Sequence, residues 1–99
     1  VRIGFEDDDL QQLYTDPDVH EPRLGPDLTK QFRKKMGLLV AATDERDLYS
    51  LRGLHLEKLA GTRAGQHSIR LNDQFRLILR FETDDDGRIV IVVELTDYH

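Results

Sequence analysis

The feature that most narrows the fold is a change of hydrophobic period partway along the chain. Leu28, Phe32, Met36, Leu39 and Val40 recur at helical spacing, while Lys30, Arg33 and Lys34 fall elsewhere on the turn. From residue 67 onward the spacing is that of strands. His67, Ile69 and Leu71 alternate with Ser68 and Arg70, and Phe75, Leu77, Leu79 and Phe81 alternate with Arg76, Ile78 and Arg80. A chain that is helical first and extended afterwards predicts an α+β fold, with helices gathered on one face of an antiparallel sheet.

The flanking residues complete the order. Val1, Ile3 and Phe5 alternate with Arg2 and Gly4 as in a half-buried strand, and Asp7-Asp8-Asp9 can cap a short helix carrying Leu10, Leu13 and Tyr14. Thr15 to Pro26 contains three prolines and no period, so it reads as a loop before a longer helix starting near Asp27. Thr43 or Asp44 can cap one further short turn through Leu48. Asn72-Asp73 and Asp84-Asp85-Asp86-Gly87 mark hairpin turns, the second with a glycine for positive φ. Ile89 to Leu95 is almost continuously apolar, which predicts a strand inside the sheet. The expected order is β-α-α-β-β-β, with two N-terminal helices on one face and Phe75, Leu77 and Leu79 buried under the Asp27 helix.

Ninety-nine residues of 38% hydrophobic content can bury one core, so one domain over residues 1–99 is expected. The chain has no cysteine, which fits a reducing compartment. Its longest apolar runs, at 37–42 and 89–93, are far short of the roughly 20 residues that span a bilayer, and no basic-then-apolar leader pattern is present. A soluble cytoplasmic protein with no membrane contact is the expectation.

The net charge of −5 is unfavourable for gripping a polyanion, but the charge is unevenly spread. Residues 1–50 hold seven Lys/Arg against eleven Asp/Glu, residues 51–80 hold six against two, and residues 81–99 hold one against six. One basic segment therefore sits in an acidic chain. Within it Arg76 and Arg80 share a strand face and lie about 13 Å apart, a spacing that suits successive phosphates and equally allows pairing with neighbouring carboxylates. Asp97-Tyr98-His99 follows the apolar strand, and His and Tyr are both able to move protons during RNA cleavage. The aspartate turn lacks the further ligands of a calcium loop, and neither a nucleophile elbow nor a phosphate-cradling glycine loop occurs. No metal and no cofactor are expected.

The run from Leu56 to Arg76, LEKLAGTRAGQHSIRLNDQFR, resembles the pattern of HigB-type toxins of the RelE/ParE superfamily: a Leu-x-Gly turn, a Gly-aromatic-Ser-Ile strand and an Asn-x-aromatic-Arg strand. Asp97-Tyr98-His99 is similar to that family's ending. The resemblance implies a RelE-like fold and ribosome-dependent cleavage of mRNA by attack of the 2′-hydroxyl. It carries catalysis to Arg76, Asp97, Tyr98 and His99; the basic segment's own chemistry makes His55, Lys58, Arg63, Arg70 and Arg80 the expected RNA-binding residues. Its implied partners are a cognate helix-turn-helix, HigA-like antitoxin, the ribosome and mRNA, with DNA reached only through the antitoxin. Two departures stand out: Glu57 and Ala60 occupy positions where the family usually has His and Lys, with His55 two residues early. His67 stands where the family often has an aromatic and is expected to be able to stack on a base. The alternatives are a ParE-like module that poisons DNA gyrase and a toxin homologue that has lost activity.

Overall fold

A computed structural model describes residues 1–97. Strand β1 (Arg2–Phe5) leads into helix α1 (Asp8–Thr15), whose first turn is closed by the Asp7 carboxylate accepting from the Leu10 amide at 3.0 Å. After the proline loop, α2 (Pro26–Ala41) begins on a proline, where the missing N–H costs nothing, and α3 (Glu45–Ser50) is capped by Asp44. Then come β2 (Glu57–Lys58), β3 (His67–Arg70), β4 (Phe75–Asp84) and β5 (Gly87–Asp97), with short 3₁₀ turns at Arg52–Leu54 and Gly61–Arg63. The α+β class and the hairpins follow the expectation. The sequence pattern did not indicate the two-residue strand β2.

The strand order is β1-β5-β4-β3-β2. Pairs from β2 through β5 are antiparallel, but β1 runs parallel to β5, with Ile3 opposite Val90 and Phe5 opposite Val92. The wholly antiparallel sheet expected from sequence is therefore corrected to a mixed one. The reason is that α1 and α2 carry the chain across the sheet, so β1 pairs with the last strand and not the next one. This leaves β5 interior, between β1 and β4.

One face of the sheet carries the core. Leu10 and Leu13 from α1 and Leu28, Phe32, Met36 and Leu39 from α2 pack on Ile69, Leu77, Leu79, Val90 and Val92. Leu77 and Leu79 are fully buried as expected, whereas Phe75, at the end of the sheet, is only partly covered. Ile78 is opposite Glu94 but Leu79 is opposite Val92, so Val93 is an extra residue in a β-bulge. The bulge switches the alternation of β5. Val90 and Val92 face the core before it, and Leu95, opposite Leu77, does so after it. That change of phase, together with burial, explains why the run from Ile89 to Leu95 looks unbroken.

Candidate functional site

The end of β3, the start of β4 and the end of β5 meet at one end of the sheet. Arg70 is opposite Arg76, and Arg76 is opposite Thr96, so the three side chains project from the face away from the helices. Two arginines directly opposite one another repel, with Cβ atoms roughly 5 Å apart. The turn between them offsets this. Asp73 forms an ion pair with Arg70, while Arg76 donates from Nη1 to the carbonyl oxygens of Asn72 at 2.7 Å and Phe75 at 3.3 Å. The turn is itself fixed by the Asn72 side chain, which accepts from the amides of Gln74 at 2.9 Å and Phe75 at 2.7 Å.

Asp97 is opposite Phe75, one register step from Arg76, and accepts from Gln74 Nε2 at 2.9 Å. Arg76 and Asp97, two of the residues singled out for catalysis, are therefore brought to the same corner. Tyr98 and His99 lie outside the described residues. Arg63 also reaches this face: it pairs with Glu94 and donates to Gln66 at 3.1 Å. Glu94 is opposite Ile78, which is completely buried. The 59–66 loop therefore covers part of the face that the alternation alone would leave open.

The other residues expected to bind RNA are placed differently. Arg80 lies on the same face but is held by Glu6 and Glu82, each at 2.6 Å, and these hydrogen bonds raise its pKa above the ordinary guanidinium value. Lys58 is opposite His67 and so takes the opposite parity from Arg70 and Arg76. His55 is exposed and holds a left-handed backbone, φ 47°, at the end of a 3₁₀ turn. His67 does not face the arginine corner. Its ring packs edge-on against Phe81, centroids 4.7 Å apart, and lies 6.4 Å from Tyr49. Its Nδ1 is buried without a partner among the described residues, and burial lowers its pKa, with Glu45 opposing and Lys58 assisting. The ring of His67 is thus engaged by Phe81 within the fold.

Lys35 was missed in the sequence. It donates to the Gly53 carbonyl, and its pKa is lowered first by burial and then by Lys34 and Arg70. Its ammonium is thereby fixed on the segment between α3 and β2. No sequence signal separated Lys35 from the other lysines of α2, because its bond to Gly53 depends on how the chain folds back after α3.

At the level of fold, the chain is similar to the YoeB/ParE toxin from Agrobacterium tumefaciens, with a TM-score of 0.56, 15% identity and complete coverage of both chains. It is also similar to a chain of the YoeB-YefM complex from Staphylococcus aureus, at 0.54 and 16% identity over 100% of this chain and 97% of that one. These likenesses show the fold to be the one shared by those two structures. The family described as the RelE-like toxin of type II toxin-antitoxin system HigB matches residues 3–99. Toxin HigB-1 of Vibrio cholerae is 38% identical over 82 residues, covering 82% of this chain and 84% of the relative. An uncharacterized protein of Haemophilus influenzae is 32% identical over 90 residues, covering 91% and 88%. The chain belongs to the HigB-like family of RelE-type toxins.

Proposed function

We propose that this toxin is a ribosome-dependent mRNA endoribonuclease, neutralised by a cognate antitoxin with a helix-turn-helix domain. The observation that carries the reading is the corner where Arg70 and Arg76 stand side by side in register with Thr96, next to Asp97. Guanidinium groups held by their own turn can receive a phosphate without first being ordered, and planar donors suit its oxygens. An acidic chain that acts on the ribosome does not need to capture free RNA unaided.

In the proposed reaction the 2′-hydroxyl attacks the adjacent phosphorus and the bond to the 5′-oxygen breaks, giving a cyclic phosphate and a 5′-hydroxyl. The nucleophile belongs to the substrate, so the protein's part is proton transfer and charge stabilisation. His99 transfers the proton, Tyr98 orients or shares that transfer, and Arg76 stabilises the charge on the phosphorane. Asp97 orients its neighbours, as its bond from Gln74 suggests. Arg63, Arg70 and Lys58 hold the backbone of mRNA or ribosomal RNA. His55 substitutes for the contribution lost where Glu57 and Ala60 depart from the family pattern.

The test is single-turnover cleavage of mRNA on purified ribosomes, with ribosome binding measured separately. His99→Ala is expected to slow cleavage by roughly 10²–10⁴-fold with binding retained. Arg76→Ala is expected to slow cleavage and weaken binding together, because it also removes a ground-state phosphate contact. Unchanged cleavage in His99→Ala would eliminate this histidine as the acid or base. The absence of any ribosome-dependent cleavage by the wild-type chain would overturn the reading.

A further inference from the structure

Beside the arginine corner, the same face of the sheet carries a second row of residues. Thr96, Arg76 and Arg70 lie in register across β5, β4 and β3, and two residues along each strand Glu94, Ile78 and Ser68 do the same. Neighbouring rows on one face are about 7 Å apart. The helices pack on the opposite face, yet Ile78 is completely buried without joining the helix-side core, and Ser68 is only 1% exposed. The cover comes from the 59–66 loop. It leaves the β2–β3 edge of the sheet, and Arg63 reaches from it over β4 to Glu94 on β5.

Glu94 is out of place on charge alone. A carboxylate one row from two arginines proposed to receive phosphate repels the ligand those arginines attract. Its surroundings account for it. Oε1 forms the ion pair with Arg63 and accepts from the Thr96 hydroxyl at 3.3 Å, and Thr96 is the residue opposite Arg76. Arg63 is held at a second point by donating from Nη1 to Gln66 at 3.1 Å. The base of the loop is closed by the Leu59 amide donating to the Gln66 carbonyl at 2.9 Å, and the Gln66 amide donates to the Arg63 carbonyl at 3.0 Å. Those bonds shape the loop, while the pair with Glu94 carries it across the sheet. The two side chains are 34% and 42% exposed, and ion pairs in such settings add little to stability. What this one fixes is position. A guanidinium has more N–H donors than these two bonds use, so Arg63 can be held by Glu94 and still donate to a phosphate.

We propose that Glu94 is a positioning residue for cleavage: it holds Arg63, and with it the 59–66 loop, across β4, so that Arg63 meets the RNA backbone beside the phosphate bound at Arg76. The proposal rests on the ribonuclease reading. Glu94→Gln tests it, because it keeps the size of the side chain and removes the charge. Charge alone predicts a gain for this variant, since an anion is lost from a surface that meets a polyanion. Positioning predicts ribosome binding within about twofold of the wild type and a single-turnover cleavage rate on saturating ribosomes that falls about three- to tenfold. Arg63→Ala is expected to slow cleavage to at least the same extent. Adding Glu94→Gln to it should change the rate by less than about twofold, because the residue through which Glu94 acts is already gone. Amide hydrogen exchange of the full chain reads the loop without reference to cleavage: the Leu59 and Gln66 amides should exchange about threefold faster in Glu94→Gln, with those of β4 unchanged. Cleavage by Glu94→Gln at the wild-type rate, or a loss of equal size with and without Arg63, would overturn the proposal. Unchanged exchange at Leu59 and Gln66 in a chain that still cuts would overturn it too and leave the ribonuclease reading standing. A wild type that cuts nothing sinks that reading, and the role of Glu94 in cleavage with it, even where the exchange result shows that Glu94 holds the loop.

Discussion

His67 shows at the scale of one residue how position overrides residue type. A histidine in a basic segment invites a functional reading, yet its alternation with Ser68 and Arg70 places it on the face of Ile69, toward the helices. The parity was legible in the sequence. Its contact with Phe81 was not, because that depends on which β4 residue lies nearby in three dimensions. The consequence is a pH dependence of stability. Burial holds the folded-state pKa below the ordinary value of about 6.5, so as pH falls the unfolded chain takes up the proton first. The contribution of the neutral imidazole is present above that value and is lost as pH falls toward the folded pKa. His67→Phe keeps a ring against Phe81 and removes the orphaned Nδ1. Urea unfolding between pH 7.5 and 5 should show a shallower loss of stability in the variant than in the wild type. An identical slope would mean that His67 is already satisfied by water. Gly87 is a simpler case, since its φ of 110° is the one the turn signal required.

Among the elements, hairpins and helices were legible because their signals are local. The spacing of apolar residues gives the period, and Asp7, Asp44, Pro26 and Asn72 mark where elements begin or turn. The parallel pairing of β1 with β5, the bulge at Val93 and the covering of Ile78 were not legible, since each depends on residues far apart in sequence. Ile78 illustrates the limit most clearly. Alternation put it with Arg76 and Arg80, on a face expected to be open, and the parity is right. The exposure is different, because the 59–66 loop and the Arg63–Glu94 pair close over it. Ile78→Ala should destabilise the fold by about 2–4 kcal/mol in denaturant unfolding. A cost below about 0.5 kcal/mol would show that the loop lifts off this face and leaves it solvated. Arg80 fails in the opposite direction: its strand face was read correctly, but the carboxylates that hold it come from β1's edge and from its own strand.

For the whole molecule, the uneven charge seen in the sequence becomes a spatial division. Arg70 and Arg76 stand on one face at one end and Arg63 reaches the same face, while the β4–β5 turn carries Asp84, Asp85 and Asp86. A body polarised in this way should approach a polyanion with one end first. Ribosome affinity is therefore expected to fall as salt rises. Arg70→Ala should reduce the magnitude of the log–log salt slope by about one, because one phosphate contact is lost. A slope unchanged by the substitution would place Arg70 outside the contact. The candidate site was legible to the extent that it is carried by residue type, as with Arg76 and Asp97. What the sequence could not give was the partnership of each cation, which decides whether its charge is available.

The parallel pair between β1 and β5 also bears on the order in which the protein can be made. Of the five strands described, β5 is the last to leave the ribosome, and it is the strand that joins β1 to β4. Until it emerges, β1 has no neighbour, and the helices lack Val90 and Val92 beneath them. Folding of this topology must close a loop of nearly the whole chain before its most distant contacts form. A nascent chain stopped at residue 86 should therefore remain open to proteases, while one extended past residue 97 and held clear of the exit tunnel should resist them. For a toxin proposed to act on ribosomes, the chain would be unable to cut until β5 has emerged and taken its place between β1 and β4.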